Sequence, residues 1–294
     1  MPSPGNNAVQ PPLSKLGLDL LELSRWQVVR SLAGPFLAFV AYIGFAITGH
    51  WCAAIGALVV QSFVTYGSTS HDLVHGSLGL RRGVNDVLLA VIEGLCLRSG
   101  HAYQLAHLHH HARFPHDDDV EARAARHSFG KALLDGVTFQ IEIVAWALAH
   151  PRARRRWIVA ELVFVLAIVA GSIALVPWTI VPTAYVVLMI GGSWIIPLMT
   201  SYIPHNPDAP DRLGQTRLFR GPIIRLLAVD HLYHLEHHLY PAVPHQNWPE
   251  LAARLDPWLD AMGVVPVTLG PTNPRIVRRS LRVPPAGERT TRHR

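Results

Sequence analysis

Between Arg30 and Arg81 the chain carries no Lys or Arg. The stretch divides at Gly49-His50 into 17 uncharged residues, 32–48, and 20 more, 51–70. As helices these reach about 25 and 30 Å at about 1.5 Å per residue, against a hydrocarbon core of about 30 Å. A second uncharged stretch, 162–207, is interrupted at Val176-Pro177-Trp178 and accommodates two further spans, at about 157–176 and 179–200. One such segment is compatible with a buried helix of a soluble protein; four in two closely coupled pairs are not. Only 16% of residues are charged, against about 25% in soluble domains. The expected fold is an all-α integral membrane protein with four transmembrane helices in two hairpins.

Each hairpin returns to the side it left. The N-terminus, residues 71–156 and everything after about 200 therefore share one face. All 26 Lys and Arg fall on that face, including Arg152, Arg154, Arg155 and Arg156, and the hairpin tips carry none. By the positive-inside rule that face is expected to be cytoplasmic. The net charge of +6 is thus read as a topogenic and headgroup feature. A nucleic-acid partner is not expected, because no aromatic-interleaved basic motif accompanies the charge. Cys52 and Cys96 form neither a disulfide framework nor a thiolate site, and MPSPGNNAVQPP shows no secretory signal.

The membrane domain is expected over 14–263, after a disordered N-terminus (1–13) and before a basic disordered tail (264–294). Residues 13–30 read as an amphipathic helix on the membrane. Residues 84–97, which include Asp86 and Glu93, read as an interfacial helix, since two acids argue against a full crossing. Residues 129–150 read as a second amphipathic helix and 248–262 as a polar-faced one.

Three histidine-rich runs lie on the expected cytoplasmic face: HDLVH at 71–75, HLHHH at 107–111 and HLYHLEHH at 231–238. Residues three and four apart share a helix face. His71 and His75 are so spaced, as are His107, His110 and His111, and His234, His237 and His238; each helix can present two or three imidazoles toward one point. Neutral imidazole suits zinc, copper, iron and nickel. Eight such histidines exceed the three or four ligands of one zinc, so two metals sharing the set is the simplest solution. Sparse oxygen ligands argue against Mg or Ca, and absent thiolates against Cu(I) or iron–sulfur. Paired iron activating dioxygen is the best chemical fit. Asp72, Asp230, Glu236 and the run Asp117–Asp119, centred on Asp118, are expected to accept imidazole N–H bonds and fix tautomers, a solvated loop being an equal reading of that run. His231, one turn before His234, is a minority candidate for facing the metals; His101, His109, His116, His127 and His150 are expected at the surface or supporting the ligands, His50 in a hairpin tip and His245 in a loop.

HDLVH, HLHHH read as HxxHH, and HLEHHLYP together resemble the three histidine boxes of the membrane fatty acid desaturase and hydroxylase superfamily, over about residues 62–255. The resemblance implies a cytoplasmic histidine-rich helical cap and two iron ions held by His71, His75, His107, His110, His111, His234, His237 and His238. SYIPHNPD resembles the segment that adds one more ligand, here His205. Ser201 stands where some acyl-CoA desaturases place Asn, one turn earlier. The implied activity is O2-dependent oxidation of unactivated C–H bonds in a long apolar lipid, of the acyl-lipid desaturase type. Carotenoid ring hydroxylation or ketolation is the alternative, favoured by SYIPHNPD and by His234, where front-end desaturases usually carry Gln. With no GxGxxG, Cys cluster or fused haem domain in the chain, electrons are expected from an external donor such as a ferredoxin or a cytochrome with its reductase. A zinc protease would need HExxH and a carboxylate di-iron site Glu-x-x-His pairs; neither occurs. A histidine-rich metal transporter remains the different-class alternative.

Overall fold

The computed structural model describes residues 9–221 and 231–269. Its framework is four long apolar helical runs, Leu18–Ile47, Trp51–His75, Arg155–Ala174 and Val181–Tyr202. Only 22, 44, 17 and 39% of their most apolar windows are buried within the protein. Leu37, Val40, Val163, Leu166 and Val187 point outward, a surface that lipid rather than water stabilises. The expected all-α membrane architecture is what the chain adopts.

The first run opens with a short helix α1 (Leu13–Leu16) and a 3₁₀ turn (Leu18–Leu21). Helix α2 (Arg25–Ile47) starts at a capping box: Ser24 Oγ accepts from the Gln27 N–H while the Gln27 side chain accepts from the Ser24 N–H. The single amphipathic helix expected over 13–30 is therefore broken. Gly17 (φ 120°) lets the Arg254 guanidinium reach the Leu16 carbonyl and Asp19, where a Cβ would collide with it. Pro35 lies inside α2; a helix-internal proline leaves the carbonyl four residues earlier without its N–H. That carbonyl, of Ser31, accepts a 2.8 Å bond from Thr69 Oγ1 of the second run.

The second run comprises α3 (Trp51–Val64), a π-helical turn (Thr65–Thr69) and α4 (Ser70–His75). After α5 (Arg82–Leu95) and α6 (Gly100–Arg113) come a 3₁₀ segment (Glu121–Arg126), α7 (Phe129–Asp135) and α8 (Phe139–Ala149). The second hairpin is α9 (Arg155–Ala174) and α10 (Val181–Ser193), followed by a π-helical turn, Leu198–Tyr202. Tyr42 Oη donates to the Val181 carbonyl (2.9 Å), Gln61 Nε2 to Tyr185 Oη (2.8 Å) and Tyr185 Oη to the Leu95 carbonyl (2.6 Å). These bonds tie both hairpins to α5 without leaving polar groups facing lipid.

Helix α5 is amphipathic: Leu89 and Ile92 are buried, whereas Val84, Val87 and Val91 face outward. Its two acids are paired, Glu93 with Arg98 (2.7 and 3.1 Å) and Asp86 with Arg154 (2.7 and 2.6 Å). The amphipathic helix expected over 129–150 is instead two helices bent by 67°. α8 has apolar residues both inward (Phe139, Ile143) and outward (Ile141). Gly136 at the bend abuts the Trp194 carbonyl, which a Cβ would displace, and Trp194 Nε1 donates to the Leu133 carbonyl.

The cap over the site contains α11 (Arg212–Gln215), β1 (Phe219–Arg220), α12 (His234–Leu239), α13 (Trp248–Ala261) and β2 (Val267–Thr268). The helix expected over 248–262 is present as α13. Trp248, fully buried, packs with Leu235, Leu251 and Leu255. Residues 9–13, expected to be disordered, lie against this cap: Gln10 donates to the Leu239 carbonyl (2.8 Å) and Tyr240 Oη to that of Pro11 (2.6 Å). Of the expected tail, β2 pairs in parallel with β1; residues 1–8 and 270–294 lie outside the described residues.

The Glu93–Arg98 pair is buried on both sides, so removing one partner strands a charge. Arg98→Leu is expected to destabilise the protein by about 3–5 kcal/mol in detergent unfolding, and the double change Arg98→Leu with Glu93→Leu to recover most of that loss.

Candidate metal centre

Nine imidazoles converge where the second and fourth runs leave the apolar region. They form two groups, His71, His75, His107, His111 and His237 in one and His110, His205, His234 and His238 in the other. Within each group one nitrogen per ring lies within 4.8 Å of all the others. In the first, Nε2–Nε2 separations are 2.9 Å (His71–His237), 3.1 Å (His71–His107), 3.2 Å (His107–His111) and 2.7 Å (His111–His237). In the second they are 3.2 Å for His110–His238, His205–His238 and His205–His234, and 3.1 Å for His234–His238.

The helix period explains the partition. Residues four apart stay together: His71 with His75, His107 with His111, His234 with His238. The residue three after the first and one before the last lies about 60° around the helix from the first and about 100° from the last, so His110 and His237 each join the other group. Each of α6 and α12 thus presents its imidazoles to two points, not to one. The adjacent pairs His110-His111 and His237-His238 are the branch points.

Carboxylates and carbonyls fix several rings from behind. His107 Nδ1 donates to both oxygens of Glu121 (3.0 Å each), His110 Nδ1 to Asp119 (2.7 Å) and His205 Nδ1 to the Ser201 carbonyl (2.9 Å). With Nδ1 donating, the Nε2 atoms of these rings point lone pairs inward, and facing lone pairs near 3 Å repel unless a cation lies between them. A metal bound at about 2.1 Å from each nitrogen gives neighbouring ligand nitrogens an edge of about 3 Å, in line with the separations above. The donor set, nitrogen only and without thiolate, suits a borderline transition metal such as iron. Both groups could therefore hold a metal ion.

Burial and then the neighbouring imidazoles hold His111, His234, His237 and His238 well below the usual histidine range. Burial and then His110 do the same to His205. His110 goes the other way: burial opposes its charge, but the Asp119 hydrogen bond raises it, while His110 in turn holds the buried Asp119 low. For His111, His205, His234, His237 and His238 electrostatics thus favour the neutral ring.

The expected supporting residues fare unevenly. Asp72 does accept an imidazole bond, but from His245: Nδ1 at 2.5 Å, with the His245 N–H on the other oxygen at 3.0 Å. His245, expected as a loop residue, is buried beneath the site. Asp118 is exposed and pairs with Arg113; its neighbour Asp119 is the one turned inward. Glu236 is buried against Arg220 (2.5 Å) instead of an imidazole. Ser201 offers its carbonyl to His205, its hydroxyl accepting from the Ala125 N–H at 3.1 Å. Asp230 lies outside the described residues. His101 is likewise not at the surface: its Nδ1 meets Glu161 at 2.5 Å inside the third run. Glu121 and Trp248 had no sequence signal; Trp248 packs its ring against His71 (5.2 Å) and His237 (5.1 Å).

An all-α chain with four membrane-length helices and two buried histidine groups at their ends is a membrane protein built around a candidate metal centre. A family model described as fatty acid desaturase matches residues 45–268; the chain belongs to that family. Comparison with curated protein sequences gave no match.

Asp119 also accepts from the N–H groups of Glu121 and Ala122, so Asp119→Ala should cost about 2–3 kcal/mol by leaving buried donors unpaired. Asp118→Ala should stay within about 0.5 kcal/mol. Urea unfolding of both variants side by side checks the assignment.

Proposed function

We propose that the protein is a membrane-bound non-haem di-iron oxidase that uses dioxygen and two external electrons to oxidise unactivated C–H bonds of a lipid, of the acyl-lipid desaturase type. The observation that carries this reading is the five-and-four division of His71, His75, His107, His111 and His237 from His110, His205, His234 and His238, beside an apolar cavity of about 360 Å³. These nine residues would hold two irons, which supply the dioxygen-activating redox chemistry when bound.

The rest belongs to the chain's own side chains. Glu121, Asp119 and the Ser201 carbonyl keep a proton on Nδ1 of His107, His110 and His205, so that Nε2 is free to ligate. Leu58, Phe63 and Tyr66 of the second run face Ile195, Ile196 and Met199 of the fourth across the cavity, positioning an acyl chain and keeping water from it. The branch between a double bond and an alcohol is set by how those walls hold the chain. His75, His111 and His238 are the half-buried members of the two groups. They mark the side from which electrons would arrive, from a ferredoxin or a cytochrome with its reductase, on the face we assign to the cytoplasm. Carotenoid ring hydroxylation or ketolation is the second reading, favoured by His234 and the SYIPHNPD stretch. Against metal transport, the acid inside the third run, Glu161, is closed off by Ser99 and His101.

Purified protein is expected to contain two irons per chain by elemental analysis; zinc without iron would point to the transporter. Lipid mass spectrometry of a host that makes polyunsaturated lipids and β-carotene should show acyl chains that have lost two hydrogens; oxygen gained by the carotenoid would favour the second reading. His237→Ala should abolish turnover and lower iron content, and retained iron with retained turnover would refute the ligand set. Glu121→Gln, which leaves every imidazole in place, is expected to weaken iron binding by about 10–100-fold, read by competition with a chelator.

A further inference from the structure

His231 stands at the junction of the cavity and the centre. Its ring is buried, 3% exposed, it lines the cavity between the second and fourth runs, and its centroid is 4.9 Å from that of His234. Yet it belongs to neither histidine group. Neither ring nitrogen has a hydrogen-bond partner among the described residues. The Gly67 carbonyl approaches the ring without completing a bond of normal geometry.

The other polar side chains of the cavity wall are already engaged. Ser62 Oγ donates to Met189 Sδ (3.5 Å), Tyr66 Oη to Glu121 (3.4 Å) and Thr200 Oγ1 to the Ile196 carbonyl (2.9 Å). Trp194 Nε1 donates to the Leu133 carbonyl. His231 is therefore the one lining side chain, among the described residues, with a donor and an acceptor that complete no hydrogen bond. Buried polar nitrogens are rarely left so, and the cost is recovered when a ligand atom pairs with them.

Taking the cavity as the seat of the lipid whose oxidation is proposed above, we infer that His231 is a specificity-determining residue. It hydrogen-bonds a neutral oxygen function, a hydroxyl or a ketone, carried on an otherwise apolar substrate close to the carbon that reacts. A neutral ring can donate to a carbonyl or accept from a hydroxyl, so one residue serves both. The cavity lining holds no Lys or Arg that could pair with a carboxylate head. A purely hydrocarbon chain would leave both nitrogens stranded. The preferred lipid on this account already bears oxygen, and the reaction places its new functional group a few bonds away.

Binding, not turnover, gives the test. Iron-loaded protein in detergent is titrated with heptadecane, its central alcohol and its central ketone, following the fluorescence of Trp194, which lines the cavity. Relative to wild type, His231→Leu should weaken the alcohol and the ketone by about tenfold more than the alkane; comparing variant with wild type cancels partition into micelles. His231→Gln, which keeps a donor and an acceptor, should retain most of the preference. Both variants should keep the wild-type iron content, which also reports that they fold. Equal weakening of all three probes, or none, would mean that the ring meets only water and overturns the inference. Loss of iron in both variants would make His231 a ligand and overturn it as well. Should no lipid be oxidised by the iron-loaded protein while the probe preference persists, the proposed function fails and the assignment of His231 stands.

Discussion

Nine inward-facing imidazole nitrogens within a few ångströms of one another are unstable on their own. Lone pairs near 3 Å repel, any proton placed among them is shared badly, and burial disfavours charge. The geometry persists because five of the rings, His71, His107, His110, His205 and His237, are held by something behind them. Glu121 and Asp119 lie on the loop and 3₁₀ segment after α6, the Ser201 carbonyl lies in a π-helical turn, and Trp248 packs against His71 and His237. These contacts fix the rings before a metal arrives. A preorganised donor set of this kind binds a cation without the cost of ordering its ligands.

The frame that brings the rings together is shared between membrane and cap. The second and fourth runs both reach the site through a π-helical turn, Thr65–Thr69 before His71 and Leu198–Tyr202 before His205. A π-helical turn adds a residue to the helical repeat and shifts the helix face beyond it. In the second run the same turn supplies Thr69 to the Ser31 carbonyl opposite Pro35. The irregularity therefore settles a backbone acceptor in the first run while aiming histidines from the second. On the far side, Asp72 binds His245 and Asn247 Nδ2 donates to the Leu20 and Glu22 carbonyls (3.0 Å each). The chain before the first span is so clasped to the cap that closes the site.

What the sequence disclosed and what it withheld have a common physical origin. Spans are legible because lipid demands long uncharged runs, and the histidine spacing is legible because four residues return to the same helix face. The division between two metal positions was implicit in that same period, since residues three and four along cannot aim at one point together. The backing residues were not legible. Asp118 and Asp119 differ by one position, and only the local turn decides which is buried. Glu121 is the lone acid in EARAAR, and His245 lies far in sequence from the Asp72 it meets. Gly17, similarly, breaks the expected amphipathic helix for the sake of Arg254, a contact across the whole chain.

The cavity and the histidines are linked through the same backbone, which constrains the chemistry further. The second run lines the cavity from Leu58 to Gly67 and four residues later supplies His71; the fourth lines it from Gly191 to Thr200 and five residues later supplies His205. Along the second run the separation between the apolar wall and the candidate metal positions is thus set by helix rise, about 1.5 Å per residue; the helix of the fourth run ends at Tyr202, and His205 is held just beyond it by an antiparallel bridge to Thr216. A lipid seated against these walls meets the centre at a fixed depth. Removing a residue from the Thr65–Thr69 turn would rotate His71 and His75 by about 100°, away from their group, while leaving the cavity wall before the turn in place. The irregular turn of the second run therefore sets where along a bound chain the centre can act.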